Sequence, residues 1–116
     1  MNKIIAGNWK NNGSKIFIKN YFNFFLENLD SDNEIIIFPP ELYISQVNNY
    51  RYKNNFNLGG QNINYVSDNE TFTSGHSSDM FIDNGCNYIL VGHSEVRGHD
   101  IVYANTPNSL CAANDL

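Results

Sequence analysis

Residues 34–40 read Glu34-Ile35-Ile36-Ile37-Phe38-Pro39-Pro40, a short run of strand-forming side chains stopped by two prolines. Three consecutive isoleucines leave no polar position between them. A strand of this kind is covered on both faces, which is the habit of a parallel sheet flanked by helices. The prolines end the ladder because they carry no N–H and fix their own φ. Upstream, Lys3 to Gly7 reads as a second buried strand. Ile16, Phe17, Tyr21, Phe24, Phe25 and Leu26 recur between the two strands at helical spacing, after Ser14 as N-cap. Downstream, Glu41 to Val47 reads as a short helix and Phe56 to Gly60 as a weaker strand. The polar stretch from Asn62 to Ser74 reads as a long loop. Asp79 to Asn84 reads as a helix closed by Gly85, and Tyr88 to Gly92 as a fourth strand.

Strand and helix alternate at a spacing of roughly 30 residues, the mark of βα units and a parallel sheet. The fold class is therefore α/β, in a single unit spanning residues 1–116. Four strands fit two architectures. One is a small flavodoxin-like domain. The other is about half of a (β/α)8 barrel, which needs eight strands and typically about 250 residues. Periodicity does not choose between them.

Composition excludes some functions. A net charge of −5 and a pI near 4.9 leave no basic stripe for nucleic acid. The first apolar run is too short for a membrane span. Cys86 and Cys111 stand in no metal-ligand or redox spacing, so the reading is reduced cytosolic thiols and no metal.

In parallel α/β folds the chemistry sits just past the C-terminal ends of strands. Two clusters lie there. Asn8-Trp9-Lys10 follows the first strand, where an ammonium can bind a phosphate or polarise a carbonyl; the alternative is a solvated loop lysine. His93-Ser94-Glu95 follows the fourth strand. An imidazole there serves as acid, base or neutral donor according to the form the site favours. The alternative is a capping Ser94 and a helix starting at Glu95, with His93 incidental. Glu95 is also placed to pair with Lys10 across the mouth.

Ala6-Gly7-Asn8-Trp9-Lys10-Asn11-Asn12-Gly13 resembles the N-terminal signature of the triosephosphate isomerase family, and Leu90-Val91-Gly92-His93-Ser94-Glu95 resembles its fourth-strand signature. Gly59-Gly60-Gln61-Asn62 and Thr71-Phe72-Thr73 resemble its third strand and third loop. The segments occur in the family's order over residues 1 to about 97, and residues 98–116 match poorly. The resemblance implies the first four βα units of a TIM barrel, and a cytoplasmic isomerase that works without cofactor. Dihydroxyacetone phosphate and glyceraldehyde 3-phosphate would interconvert through an enediolate, as a step of glycolysis and gluconeogenesis. By motif, Lys10 and His93 are the catalytic positions and Asn8 joins Lys10 in binding substrate. Glu95 holds Lys10, and Thr73 lies at a possible homodimer contact. Val96 stands where the family has an arginine, removing a charge used in its salt links. Ser74-Gly75-His76 departs from the third-loop pattern. The family's glutamate base, its lid and its phosphate-binding glycines belong to later strands, so the expectation for these 116 residues alone is an inactive, marginally stable or self-associating chain. The alternative is a non-catalytic binding or interaction fragment derived from the family.

Overall fold

The computed structural model describes residues 3–28, 32–51, 54–63, 73 and 75–100. Four strands form one sheet: β1 (Ile4–Asn8), β2 (Glu34–Phe38), β3 (Asn57–Gly60) and β4 (Tyr88–Ile89). Every adjacent pair is parallel, and the spatial order is the chain order, β1-β2-β3-β4. That order decides what periodicity left open. A doubly wound sheet reverses direction at a switch point in its strand order, whereas a barrel adds each strand beside the last. The flavodoxin-like alternative is thereby overturned, and the sheet is that of successive barrel units.

Helices α1 (Lys15–Asn28), α2 (Ile44–Asn48), α3 (Ser78–Asp83) and α4 (Ser94–Asp100) follow the strands in turn. Helix α1 starts where Ser14 Oγ accepts the Phe17 N–H at 3.1 Å, satisfying one of the donors a helix N-terminus leaves over. Residues 41–43 form a single 3-10 turn before α2, so the helix expected over 41–47 is split. Gly85, expected to close the third helix, has φ +92 and sits just past α3.

One core cluster joins the helices to the sheet. Ile18 and Phe22 of α1, Ile44 and Val47 of α2 and Phe81 of α3 pack with Ile37 and Leu58, which are partners in the β2–β3 register. Alternation along β2 sends Ile36 and Phe38 to the opposite face, where both are buried. On that face a polar relay crosses three strands. The Glu34 carboxylate accepts from Asn57 Nδ2 at 3.0 Å and from the Tyr88 hydroxyl. The bond to the carboxylate raises the Tyr88 pKa, since it favours the protonated phenol. The relay lies at the strand starts, away from the mouth.

The β1 edge is the least covered part of the sheet: Ile4 is 63% exposed and Ile5 49%. Strand β4 is shorter than the expected 88–92 run. Its ladder closes with the Leu90 N–H on the Gly60 carbonyl at 2.8 Å, and Gly92, at φ +61, then turns the chain into α4. Among the described residues no helix is long and apolar enough to cross a membrane. Residues 101–116, Cys111 among them, lie outside the described residues.

Candidate functional site

Three strand ends meet at the mouth of the sheet. The first is Asn8-Trp9-Lys10, and alternation sorts its side chains. Trp9 turns to the helix side, where its ring meets those of Tyr21 at 5.1 Å and Phe17 at 5.5 Å edge-on. The Trp9 N–H makes the last bond of the β1–β2 ladder, to the Phe38 carbonyl at 3.0 Å. Asn8, the last residue of β1 and not a loop residue as expected, and Lys10 are left for the other face.

The Lys10 backbone is in the left-handed region at φ +55, the only non-glycine there among the described residues. For a side-chain-bearing residue that conformation costs about 1–2 kcal/mol. Contacts on both sides hold it. Asn8 Oδ1 accepts the Lys10 N–H at 2.9 Å, and Gln61 Nε2 donates to the Lys10 carbonyl at 2.7 Å. The ammonium donates to Glu95 Oε1 at 2.8 Å. Both side chains are more than half exposed, so the pair adds less than about 1 kcal/mol to stability. Its consequence is directional: it fixes where the Lys10 charge sits.

The second strand end is Gly92-His93-Ser94-Glu95. His93 precedes α4, and its carbonyl accepts the Arg97 N–H at 3.0 Å as the helix begins. His93 Nδ1 accepts the Glu95 N–H at 3.2 Å. The Glu95 carboxylate is also near Nδ1, but at 3.7 Å it lies outside hydrogen-bond range. An Nδ1 that accepts from the backbone is unprotonated, so this geometry assigns a neutral ring with its proton on Nε2. Helix formation at Ser94 and a placed His93 were alternatives in the sequence; here the helix start is what orients the ring.

The third strand end supplies Gln61, which sequence reasoning passed over as part of a strand signature. Its amide nitrogen reaches the Lys10 carbonyl and, at 3.0 Å, the Phe38 carbonyl. Thr73, expected at a subunit contact, is exposed, and its flanking residues lie outside the described ones. A cleft of about 350 Å³ opens beside the mouth, lined by Lys10, Glu41, Gln61 and His76 among others. His76 Nδ1 pairs with Glu41 Oε2 across it at 2.7 Å. Asn8, His93 and Glu95 do not line this cleft, so it adjoins the cluster without containing it. Among the described residues no three His, Cys, Asp or Glu side chains group as metal ligands.

A sequence model of triosephosphate isomerase matches residues 3–108, nearly the whole chain. The chain belongs to the triosephosphate isomerase family. The match runs past Arg97 into the stretch where motif resemblance fades. Curated triosephosphate isomerases agree with it. One from Shewanella pealeana is 34% identical over 113 residues, covering 90% of this chain and 42% of its own length. One from Ruthia magnifica is 42% identical over 95 residues, covering 81% and 38%. One from Francisella philomiragia is 40% identical over 99 residues, covering 84% and 38%. The chain thus spans about two fifths of the length of these relatives. Within the triosephosphate isomerase barrel, four parallel strands in chain order are its first four βα units.

Proposed function

We propose that Asn8, Lys10 and His93 form the carbonyl-polarising and anion-binding side of a triosephosphate isomerase site, which interconverts dihydroxyacetone phosphate and glyceraldehyde 3-phosphate. One observation carries the reading. The acceptor atom of each neutral side chain is already occupied by backbone, so each is left with a donor to offer. Asn8 Oδ1 takes the Lys10 N–H, leaving the Nδ2 protons. His93 Nδ1 takes the Glu95 N–H, leaving Nε2–H. Lys10 adds an ammonium with three protons, of which Glu95 accepts one.

A set made of donors suits a substrate oxygen that gains negative charge. The barrier to enolisation is mainly the cost of that charge, and donors fixed in advance reduce it without reorganising. His93 Nε2–H and Asn8 Nδ2–H would hold the carbonyl oxygen as it becomes an enediolate. Lys10 would steady that oxygen and the phosphate. A neutral histidine at a helix start is the known electrophile of this family, and the His93 geometry fits that role. Glu95 would keep Lys10 aimed. The proton itself moves by a glutamate base, which the reading assigns to barrel strands outside these residues, so the 116 residues alone would not turn over. In the assembled enzyme we place Thr73 at the contact of a homodimer, and the enzyme in the cytoplasm.

The test is an isomerase assay on the 116-residue chain beside the same chain completed by the later strands of its Shewanella pealeana relative. Turnover only in the completed barrel is expected. A folded, completed barrel without turnover would leave a binding fragment as the better reading, and turnover by the 116 residues alone would contradict the division of labour.

A further inference from the structure

We propose that Gln61 is a positioning residue for Lys10: its amide holds the backbone of that lysine in the left-handed conformation and so aims the ammonium at Glu95 and the mouth. The inference deepens the reading of Lys10 given above and rests on it for its meaning in catalysis.

A glutamine amide nitrogen carries two protons, and here two carbonyls lie within reach of it: Lys10 at 2.7 Å and Phe38 at 3.0 Å. Both protons are thereby used, and the side chain has no donor to spare for a substrate. The orientation is fixed by chemistry as well. With the amide turned over, its oxygen would face two carbonyl oxygens at those distances, and like dipoles repel.

The two carbonyls come from different strand ends. Phe38 closes β2, and its carbonyl already receives the Trp9 N–H, the final bond of the β1–β2 ladder. Lys10 lies one residue beyond that bond. The chain could leave the ladder there along several paths, and an L-residue ordinarily takes one with negative φ. Asn8 Oδ1 captures the Lys10 N–H, and Gln61 captures its carbonyl from the far side of β2. Held at both ends, the Lys10 peptide units adopt φ +55. The side chain leaves this backbone toward Glu95, which begins a helix on the other side of β3. Lys10 is therefore set by three strand ends, with Gln61 supplying the one from β3.

A strap with a purely structural part would join β2 to the loop and leave the Lys10 dihedral alone. NMR on the isotopically labelled completed barrel separates the two. The distance from an amide proton to its own Hα shortens at positive φ, so the Lys10 intraresidue cross-peak reports the conformation. The expected result is a strong cross-peak in the wild type, lost in Gln61→Met together with the contact between the Lys10 ammonium and Glu95. Gln61→Glu, which replaces the donor by an acceptor at equal size, is expected to lose both as well. Retention of the cross-peak in either folded variant overturns the proposal. So does a wild-type chain whose Lys10 shows negative φ, or whose Gln61 Nε2 protons exchange as freely as those of an exposed glutamine; neither depends on a variant folding. A completed barrel that fails to isomerise triose phosphates while Gln61 still governs the Lys10 dihedral would sink the functional reading and leave this one standing.

Discussion

Replacing Gly59 by alanine puts a methyl group where the Phe38 ring already is. An ideal Cβ at Gly59 would lie 2.2, 2.5 and 3.0 Å from three atoms of that ring, and Phe38 is only 3% exposed, so the ring has no solvent side to swing into. Overpacking of a filled core costs about 1–3 kcal/mol. Alanine returns about 0.4–1 kcal/mol by restricting the unfolded chain, so the net loss is about 1–2 kcal/mol. Gly7 is the internal control. A Cβ there meets only the Ile36 carbonyl oxygen, at 3.9 Å, so Gly7→Ala should be neutral or mildly stabilising. The assay is urea unfolding of the 116-residue chain followed by tryptophan fluorescence, since Trp9 packs on the core. With a slope of about 1–3 kcal/mol/M, Gly59→Ala should lower the midpoint by about 1 M. Adding Phe38→Leu should restore part of it. A Gly59→Ala midpoint equal to that of Gly7→Ala would refute the packing argument. Because the Phe38 carbonyl is one of the two that Gln61 grips, the same substitution should also disturb the Lys10 resonances.

Other predictions follow from single contacts. Ser14→Ala removes the acceptor for the Phe17 N–H and should destabilise the chain by about 1 kcal/mol in the same unfolding assay, whereas no change would argue against the cap. Burial pushes the Cys86 thiol up from 9.0 to about 11; of the nearby charges Arg51 lowers it and Glu41 raises it. In a Cys111→Ser background its thiolate population at pH 8 should be about a hundredfold below that of an ordinary thiol, with alkylation slowed at least that much. A thiol whose pKa is higher in the folded chain than in the unfolded one stabilises the fold fully below the unfolded value, and that contribution is lost as pH rises through the folded one. Tyr21, raised by burial, and Tyr88 act in the same sense. Urea midpoints should therefore fall between about pH 9 and 11, and a flat profile would contradict these shifts.

The parts of the fold that were legible in the sequence are those set by local patterns. Ile35-Ile36-Ile37 followed by two prolines marked β2, and its observed range is Glu34–Phe38. Ser14 marked the start of α1 because capping acts over three residues. The Lys10–Glu95 pair could be anticipated because both residues lie past the C-terminal ends of strands, and those ends of a parallel sheet face one mouth. Strand order was not legible: four short apolar runs look alike whether wound in one direction or two. Gln61 was missed because its role depends on carbonyls contributed by two other strands, and a backbone oxygen leaves no mark in sequence. The Glu34–Asn57–Tyr88 relay was missed for a related reason. Its members stand 23 and 54 residues apart, and only the β2–β3–β4 register brings them together. His93 lay between these cases, since sequence placed it at a strand end while the tautomer depended on the Glu95 N–H.

The central claim is that donors from separate strand ends, already committed in orientation, stabilise an enediolate. Turnover of the completed barrel carrying Lys10→Ala or His93→Gln tests it most directly. Loss of one such donor elsewhere lowers turnover by roughly a hundredfold to a thousandfold. The account predicts a fall of at least that size for each variant, with unfolding midpoints nearly unchanged because the Lys10–Glu95 pair is exposed. Wild-type turnover in either variant would contradict it.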